Sequence, residues 1–570
     1  MAVERGGRFQ WDEDQIFGGI RQDITDSPRH YRYLVNCSVI DSGSLIKDKG
    51  CRKLINAQLS GGGDTFGGFH ATYSGAGHKL FLFQDNGSSA CVVYRFDPSG
   101  GGAHDPAVAS WVTTGPTEQT LARVKPFVTM FRNKMITVDG TLLRARDSSG
   151  TWTTPANGLS LTSLKNALNA CKFGAVYNNR LILCGNPSLP NQFYVSDPLD
   201  EAVWDANNIV DITETGGEEV LGMGVVGSHL LVGGDNFLRA YFLGNANAQD
   251  WDNDLISGQV GPVNWQSFVS ADRWAGNESA SSYTFFWTKR GPAMCAGGGS
   301  NLPSLVPLWE PLRRACLGEN YRGFTGFDVS EYSNIEGVWC PEFNEVRWTL
   351  CSTAAVDSKR NIILCLDFDS ALDYARGVRG AYPIFRIKEN KEFTDGYPVS
   401  TLFSVEVDGN GAPTRSGVQR TFSAKDGLVY ELDSLNSAKD LGTHVIKMQA
   451  RMDGYDGQED GASAHEKSLR GLQVQVTAEG TYDLQCRVIS DGGVDTSSNS
   501  INIGEGRNLW GGGEDWGTET LWNSGEFNLA DIDLHALGRS FDLEFFDEGA
   551  IEGPVQINYW SLWGYLEDRR

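Results

Sequence analysis

The residues able to do chemistry are scattered along this chain rather than grouped. Gly222, Gly224 and Gly227 spell G-x-G-x-x-G, the spacing that lets a backbone approach a pyrophosphate at a helix N-terminus. SHLLVGG follows them and reads as a strand, so a chance match is expected. Neither G-x-S-x-G nor a P-loop occurs, and the eight histidines supply no H-E-x-x-H. A retaining glycosidase needs two carboxyl groups roughly 5 Å apart. With 72 Asp and Glu residues chance pairs abound, and no pair is nominated. The acidic, glycine-rich stretches DGNGAPTRSG (408–417) and DGYDGQEDG (453–461) lack the EF-hand order that ends in Glu and are expected as solvated turns. The eleven cysteines form no C-x-x-C pair, which speaks against zinc. An odd count in a long chain fits buried free thiols made in a reducing cytoplasm, Cys340 and Cys351 among them. No catalytic residue, metal site or cofactor is assigned, and a protein without enzymatic activity is expected.

Charge says more. Lys and Arg total 48 against 72 Asp and Glu, a net charge of −24. An acidic surface does not grip phosphates, although it does let a nucleic acid slide past without sticking. Acids that would serve such a duct are Asp211, Glu218, Glu219 and Asp235, in or beside the turns DITETGGEEV and GGDNF; crowding at one rim or along an axis is expected of them. The block LWGGGEDWGTETLWNSG (509–525) carries Trp510, Trp516 and Trp522 among glycines and acids. They read as plugs for one end of a sheet domain or as a partner contact.

These residues must be positioned by strands. In YNNRLILCGNPSLPNQFYVSDPL (177–199) a polar Asn178-Asn179 turn, two short apolar bursts and a Gly/Pro break describe a hairpin. The pattern recurs in FVTMFRNKMITVDGTLLRARDSSGTW (127–152) and LGMGVVGSHLLVGGDNFLRAYFL (221–243), with weaker echoes from 69 to 433. Spacings of roughly 45 to 80 residues suit propeller blades with variable loops. Glycine at 68 of 570 residues and 11% aromatics agree with an all-β class, and the fair helices are short, at 160–171 and within 310–321. The expected organisation is an N-terminal arm and hairpin (1–64), a β-propeller (65–436) and a C-terminal β-sandwich-like docking domain (437–570). MAVERGGRFQWDEDQ has no apolar h-region and no window approaches ~18 apolar residues, so neither a standard signal nor a membrane span is expected.

RDSSGTW (146–152) resembles the Asp-box turn of sialidase-type propellers, with Gly150 displaced by one position. FGGIRQDITDSPRHYRYLVNCSVIDSGSLIKDKGCRKL (17–54) looks like the opening of tail proteins of double-stranded-DNA phages, where a Gly-Gly segment precedes a hairpin. YNNRLILCGN with NQFYVSDPLDEAVW is similar to a blade of the nozzle propellers of short-tailed phages, and GSHLLVGGDNFLRAYFL resembles the blade after it. This resemblance implies a structural virion protein of the phage tail, assembled in the host cytoplasm. It further implies a homohexameric ring below the portal adaptor, contacts to tail fibres or spikes, and genome DNA passing through the lumen without specific binding. The alternatives are a carbohydrate-binding or carbohydrate-cleaving propeller, with aromatics around its axis, and a peptide-binding scaffold.

Overall fold

The computed structural model describes residues 8–12, 31–39, 44–53, 59, 63–74, 77–97, 110–112, 119–212, 218–244, 247–272, 282–297, 302–320, 325–355, 360–379, 381–389, 399–407, 418–433, 439–440, 444–455, 466–478, 482–491, 495–503, 528–547 and 555–567. Trp510, Trp516, Trp522, the stretch 408–417 and most of 453–461 lie outside them. The chain is all-β, a propeller joined to a C-terminal sandwich. Seven antiparallel meanders begin with Thr65–Tyr73, Phe127–Phe131, Phe173–Tyr177, Val220–Val226, Val269–Asp272, Glu336–Cys340 and Thr401–Val407. These inner strands neighbour one another in chain order, and the seventh returns to the first, which closes the ring.

The local chemistry of one blade explains the rest. Asn178 and Asn179 have φ of 47° and 59°, the left-handed pair that a tight hairpin turn requires, and Arg132 and Asn133 repeat it at 46° and 63° in the blade before. Strand alternation then sends Leu181 and Leu183, both fully buried, against the second blade, where they meet Phe131, Ile136, Val138 and the short helix Thr162–Asn169. Ile182 turns the other way, toward Val220, Leu230 and Val232 of the fourth blade. The Ser-Asp-Pro stop begins the turn to the outer strand Trp204–Asp211. Asp147 holds the Asp-box-like turn of the second blade by accepting from Ser149 Oγ at 2.6 Å and Thr151 N at 2.9 Å. Short helices also occur at Arg313–Cys316 and Phe368–Ala375, the latter capped by Asp367, whose carboxylate accepts from Ser370 N at 2.7 Å.

The described residues of the N-terminal segment pack against both the propeller and the sandwich. Arg52–Lys53 pairs with Leu428–Glu431 as the outer strand of the seventh blade, and Arg52 adds a 2.6 Å ion pair to Glu431. Tyr31–Val35 lies between the outer strand of the sixth blade, Phe385–Glu389, and Gln449–Tyr455 of the sandwich, so one nine-stranded sheet runs through both. Cys37–Val39 and Leu45–Lys47 form the expected hairpin, which extends the opposite sandwich sheet along Val555–Glu567. The physical reason is that hairpins this short bury too little to stand alone. All eleven cysteines are buried free thiols. Among the described residues no helix is long and apolar enough to cross a membrane.

The seam between the first and seventh blades carries a titratable pair. His70 Nδ1 accepts from the backbone N–H of Glu406 at 3.4 Å, and its Nε2 lies 3.2 Å from His78 Nδ1. Burial, and then repulsion from His78, lowers the His70 pKa from 6.5 to about 4.

Two outcomes follow from this packing. Leu181→Ala and Leu183→Ala should each cost about 2–5 kcal/mol in denaturant unfolding, because each empties space between two rigid blades. A depressed folded pKa on a base means that the His70 contribution is complete above the ordinary value of 6.5 and is lost as pH falls toward 4. Unfolding titrations at pH 7, 5.5 and 4 should therefore show declining stability, with a shallower decline in His70→Gln.

Candidate functional site

The inner strands surround an axial cavity of about 430 Å³. Its walls mix glycines and small side chains with larger ones, Phe127, Trp265 and Phe268 among them. Trp265 stacks on Phe173, centroids 6.2 Å apart and planes within 13°, and meets Phe127 edge-on at 5.8 Å. Phe268 lies across Gly222 and Gly224; a Cβ on Gly224 would sit 2.7 Å from its ring. The G-x-G-x-x-G spacing thus makes room for a phenylalanine within a strand, with Gly227 in the turn that follows. A space of this size suits a small molecule, and no DNA duplex passes through it. A duct built from this chain must run beside its propellers.

One mouth of the cavity is charged. Lys125 precedes the inner strand of the second blade, Glu336 opens that of the sixth, Thr401 opens that of the seventh, and Arg360 sits in the connection before Ile362–Asp367. Glu336 ion-pairs with Lys125 through one oxygen and with Arg360 at 2.9 Å through the other, and accepts from Thr401 Oγ1 at 2.8 Å. Burial pushes the Lys125 pKa down, and Glu336 opposes that shift. The sequence offered no signal for this cluster, because its members stand on four separate segments.

The four acids singled out from the sequence all fall on the same face as this mouth. Asp211 ends the outer strand of the third blade, Glu218 and Glu219 lead into the inner strand of the fourth, and Asp235 lies in the turn between His229–Gly234 and Phe237–Phe242. In an antiparallel meander those connections share one side. None of the four lines the axis, so they sit at a rim. Asp211 accepts from Asn191 Nδ2 at 2.9 Å and Gln192 Nε2 at 3.2 Å, and Asp235 ion-pairs with Lys289. Glu219 is exposed and Glu218 half-buried. Among the described residues no group of three or more His, Cys, Asp or Glu is placed to hold a metal ion.

No family model and no curated protein matches the chain. Among solved structures it is similar to an ancestral GH74 enzyme, at 11% identity over 78% of this chain and 53% of that one, with a TM-score of 0.36. It is also similar to the N-terminal domain of Nup159, at 10% identity over 75% of this chain and 96% of that one, with a TM-score of 0.31. For Hsv2 of Kluyveromyces lactis the values are 9% identity, 70%, 95% and 0.33. The chain spans about half the length of the GH74 enzyme. At such distances the likenesses carry no functional argument.

Glu336→Gln should test the mouth. It leaves two cations facing each other in a dry site, so a loss of about 3–5 kcal/mol is expected in denaturant unfolding. Glu336→Gln combined with Lys125→Met, which removes one of the cations, should recover part of that loss.

Proposed function

We propose that this chain is a structural virion protein of a short-tailed phage, a nozzle subunit whose copies form a ring below the portal adaptor. The ring closes and conducts the DNA channel and docks fibres or spikes. The reading rests first on the resemblance carried by residues 17–54 and by YNNRLILCGN with NQFYVSDPLDEAVW. The observation that carries it furthest is the nine-stranded sheet, which joins propeller and sandwich through Tyr31–Val35. A ring subunit must hold its neighbours and its docking partners in fixed relation, and a shared hydrogen-bonded sheet supplies that stiffness. The role is mechanical and electrostatic rather than catalytic.

Because the axial cavity of about 430 Å³ is too small for a duplex, the lumen in this reading lies between subunits. The homohexamer that the resemblance implies would carry 6 × −24 = −144 formal charges. DNA phosphates passing within ~8–10 Å of its wall would meet like charge and find no sticking point. Eleven buried thiols suit assembly in the reducing host cytoplasm.

Mass photometry or negative-stain imaging of the purified protein, alone and with its adaptor, tests the assembly; closed rings are expected, and a persistent monomer counts against the nozzle. Asp235 is already neutralised by Lys289 and Asp211 is tied to its own blade, so the duct charge is tested at the other two acids. Glu218→Lys with Glu219→Lys should leave ring assembly intact, slow genome ejection from reconstituted particles and make it more salt-dependent. Unaltered ejection at low salt would remove the lumen role from this rim.

A further inference from the structure

Each inner strand of the propeller ends its sheet, so the backbone groups along its axial edge have no further strand to pair with. Six of the seven meet around the axial cavity, where Gly67, Val128, Ala175, Met223, Ser270 and Gly337 each stand on a different one. Trp265 and Phe268 come from the connection that leads into the fifth, Val269–Asp272, and that connection is pinned. Asn264 Nδ2 donates to the carbonyls of Ser333 at 2.7 Å and Ile335 at 2.8 Å, and Asn264 Oδ1 accepts from Ser267 N at 2.7 Å. Ser267 Oγ in turn accepts from Trp287 N at 3.2 Å. Phe268 stacks on Phe286, centroids 5.1 Å apart and planes within 17°, and Trp265 stacks on Phe173. The aromatic wall is therefore set before any ligand arrives.

The polar groups of the cavity have donors to spare. Among the described residues nothing accepts from Trp265 Nε1, an atom that can only donate, and the Gln266 amide and the Thr129 and Ser270 hydroxyls have no hydrogen-bond partner. Lys125 and Glu336 are the charged residues among those that line the cavity. Glu336 does not serve Lys125 alone: one oxygen is shared between Lys125 and Thr401, and the other is held by Arg360 at 2.9 Å. The charges that act on Lys125 are Glu336, which attracts, and Arg360, which repels. Two cations thus share one carboxylate at this mouth, and the Lys125 side chain is still 17% exposed.

We propose that the cavity binds a small planar monoanion, an aryl carboxylate, with its ring against Trp265 and Phe268 and its carboxylate on Lys125. A flat ring covers aromatic surface by stacking or edge contact. The carboxylate supplies the second counter-charge that Lys125 and Arg360 lack, through a charge-assisted hydrogen bond in a site largely shielded from water. A cationic ligand is turned away by the same two residues. A phosphate dianion brings twice the charge beside Glu336 and leaves the aromatic wall uncovered. Burial lowers the Lys125 pKa, and an added anion opposes that shift, so binding and protonation of Lys125 support each other. None of this depends on the ring assembly, since the site lies within one propeller. A ligand seated here touches six blades at once and stabilises their closure.

Isothermal titration calorimetry of the intact protein with benzoate, nicotinate and indole-3-carboxylate tests it, each compared with its neutral amide and with inorganic phosphate. At least one carboxylate should bind and raise the unfolding temperature. Its amide should bind about tenfold more weakly or worse, because the charge-assisted contact is lost. Lys125→Met, which leaves Glu336 paired with Arg360, should weaken carboxylate binding by a similar factor. Trp265→Leu should weaken acid and amide alike and keep the preference between them. If Lys125→Met does not fold, the acid-against-amide comparison in the unaltered protein and the Trp265→Leu titration decide the matter. Absence of binding by all three carboxylates overturns the proposal. So does equal binding of acid and amide, phosphate binding as tight as that of any carboxylate, or carboxylate binding that survives both substitutions.

Discussion

Six buried charges hold the molecule together as one object. Arg347, Arg386 and Lys388 of the sixth blade face Glu345 of the same blade, Asp433 at the exit of the seventh, and Asp48 of the N-terminal segment. Arg347 lies 2.6 Å from Asp433 and 2.8 Å from Glu345, Arg386 lies 2.7 Å from Glu345 and pairs with Asp48, and Lys388 pairs with Asp433. Three cations and three anions balance. Burial alone would raise the Asp433 pKa, yet Arg347 and Lys388 outweigh it and hold the carboxyl far below its ordinary range. Ions this dry are costly unless all partners are present, so the network forces three distant parts of the chain to arrive together. Its value is specificity of assembly more than net stability.

The neighbouring residues of the N-terminal segment repeat the logic. Asn36 donates to the carbonyls of Glu389 at 2.7 Å and Lys447 at 2.9 Å, Lys47 reaches Asp547 at 2.7 Å, and Arg52 reaches Glu431 at 2.6 Å. Blade six, sandwich and blade seven are thus each tied to one short segment. A ring closed by inner-strand packing alone could open between its first and last blades. Here the last blade is completed by Arg52–Lys53, and the same segment continues the sixth blade into the sandwich. The axis holds only a small cavity, which leaves the rims and the sandwich faces as the surfaces on which large partners can act.

Much of the fold was legible where side-chain period and turn chemistry agreed. Asn178-Asn179 and the alternation of Leu181, Ile182 and Leu183 mark a blade because left-handed turn residues and a two-residue period are local properties. Arg52–Lys53 could not be seen this way, since two residues have no period and their partner lies far along the chain. The helix Phe368–Ala375 was equally silent, being two turns long with an ordinary Asp cap. The Lys125–Glu336–Arg360 cluster joins separate segments, so only the closed ring brings it together.

Propeller and sandwich are coupled through the N-terminal segment that carries Tyr31–Val35 and Arg52–Lys53, and scanning calorimetry of the intact chain tests that coupling most directly. A single cooperative transition is predicted, with calorimetric and van't Hoff enthalpies in agreement, and Asp48→Ala should split it. Two separate transitions in the unaltered protein would show that propeller and sandwich fold independently, and would contradict the claim that one segment makes them a single body.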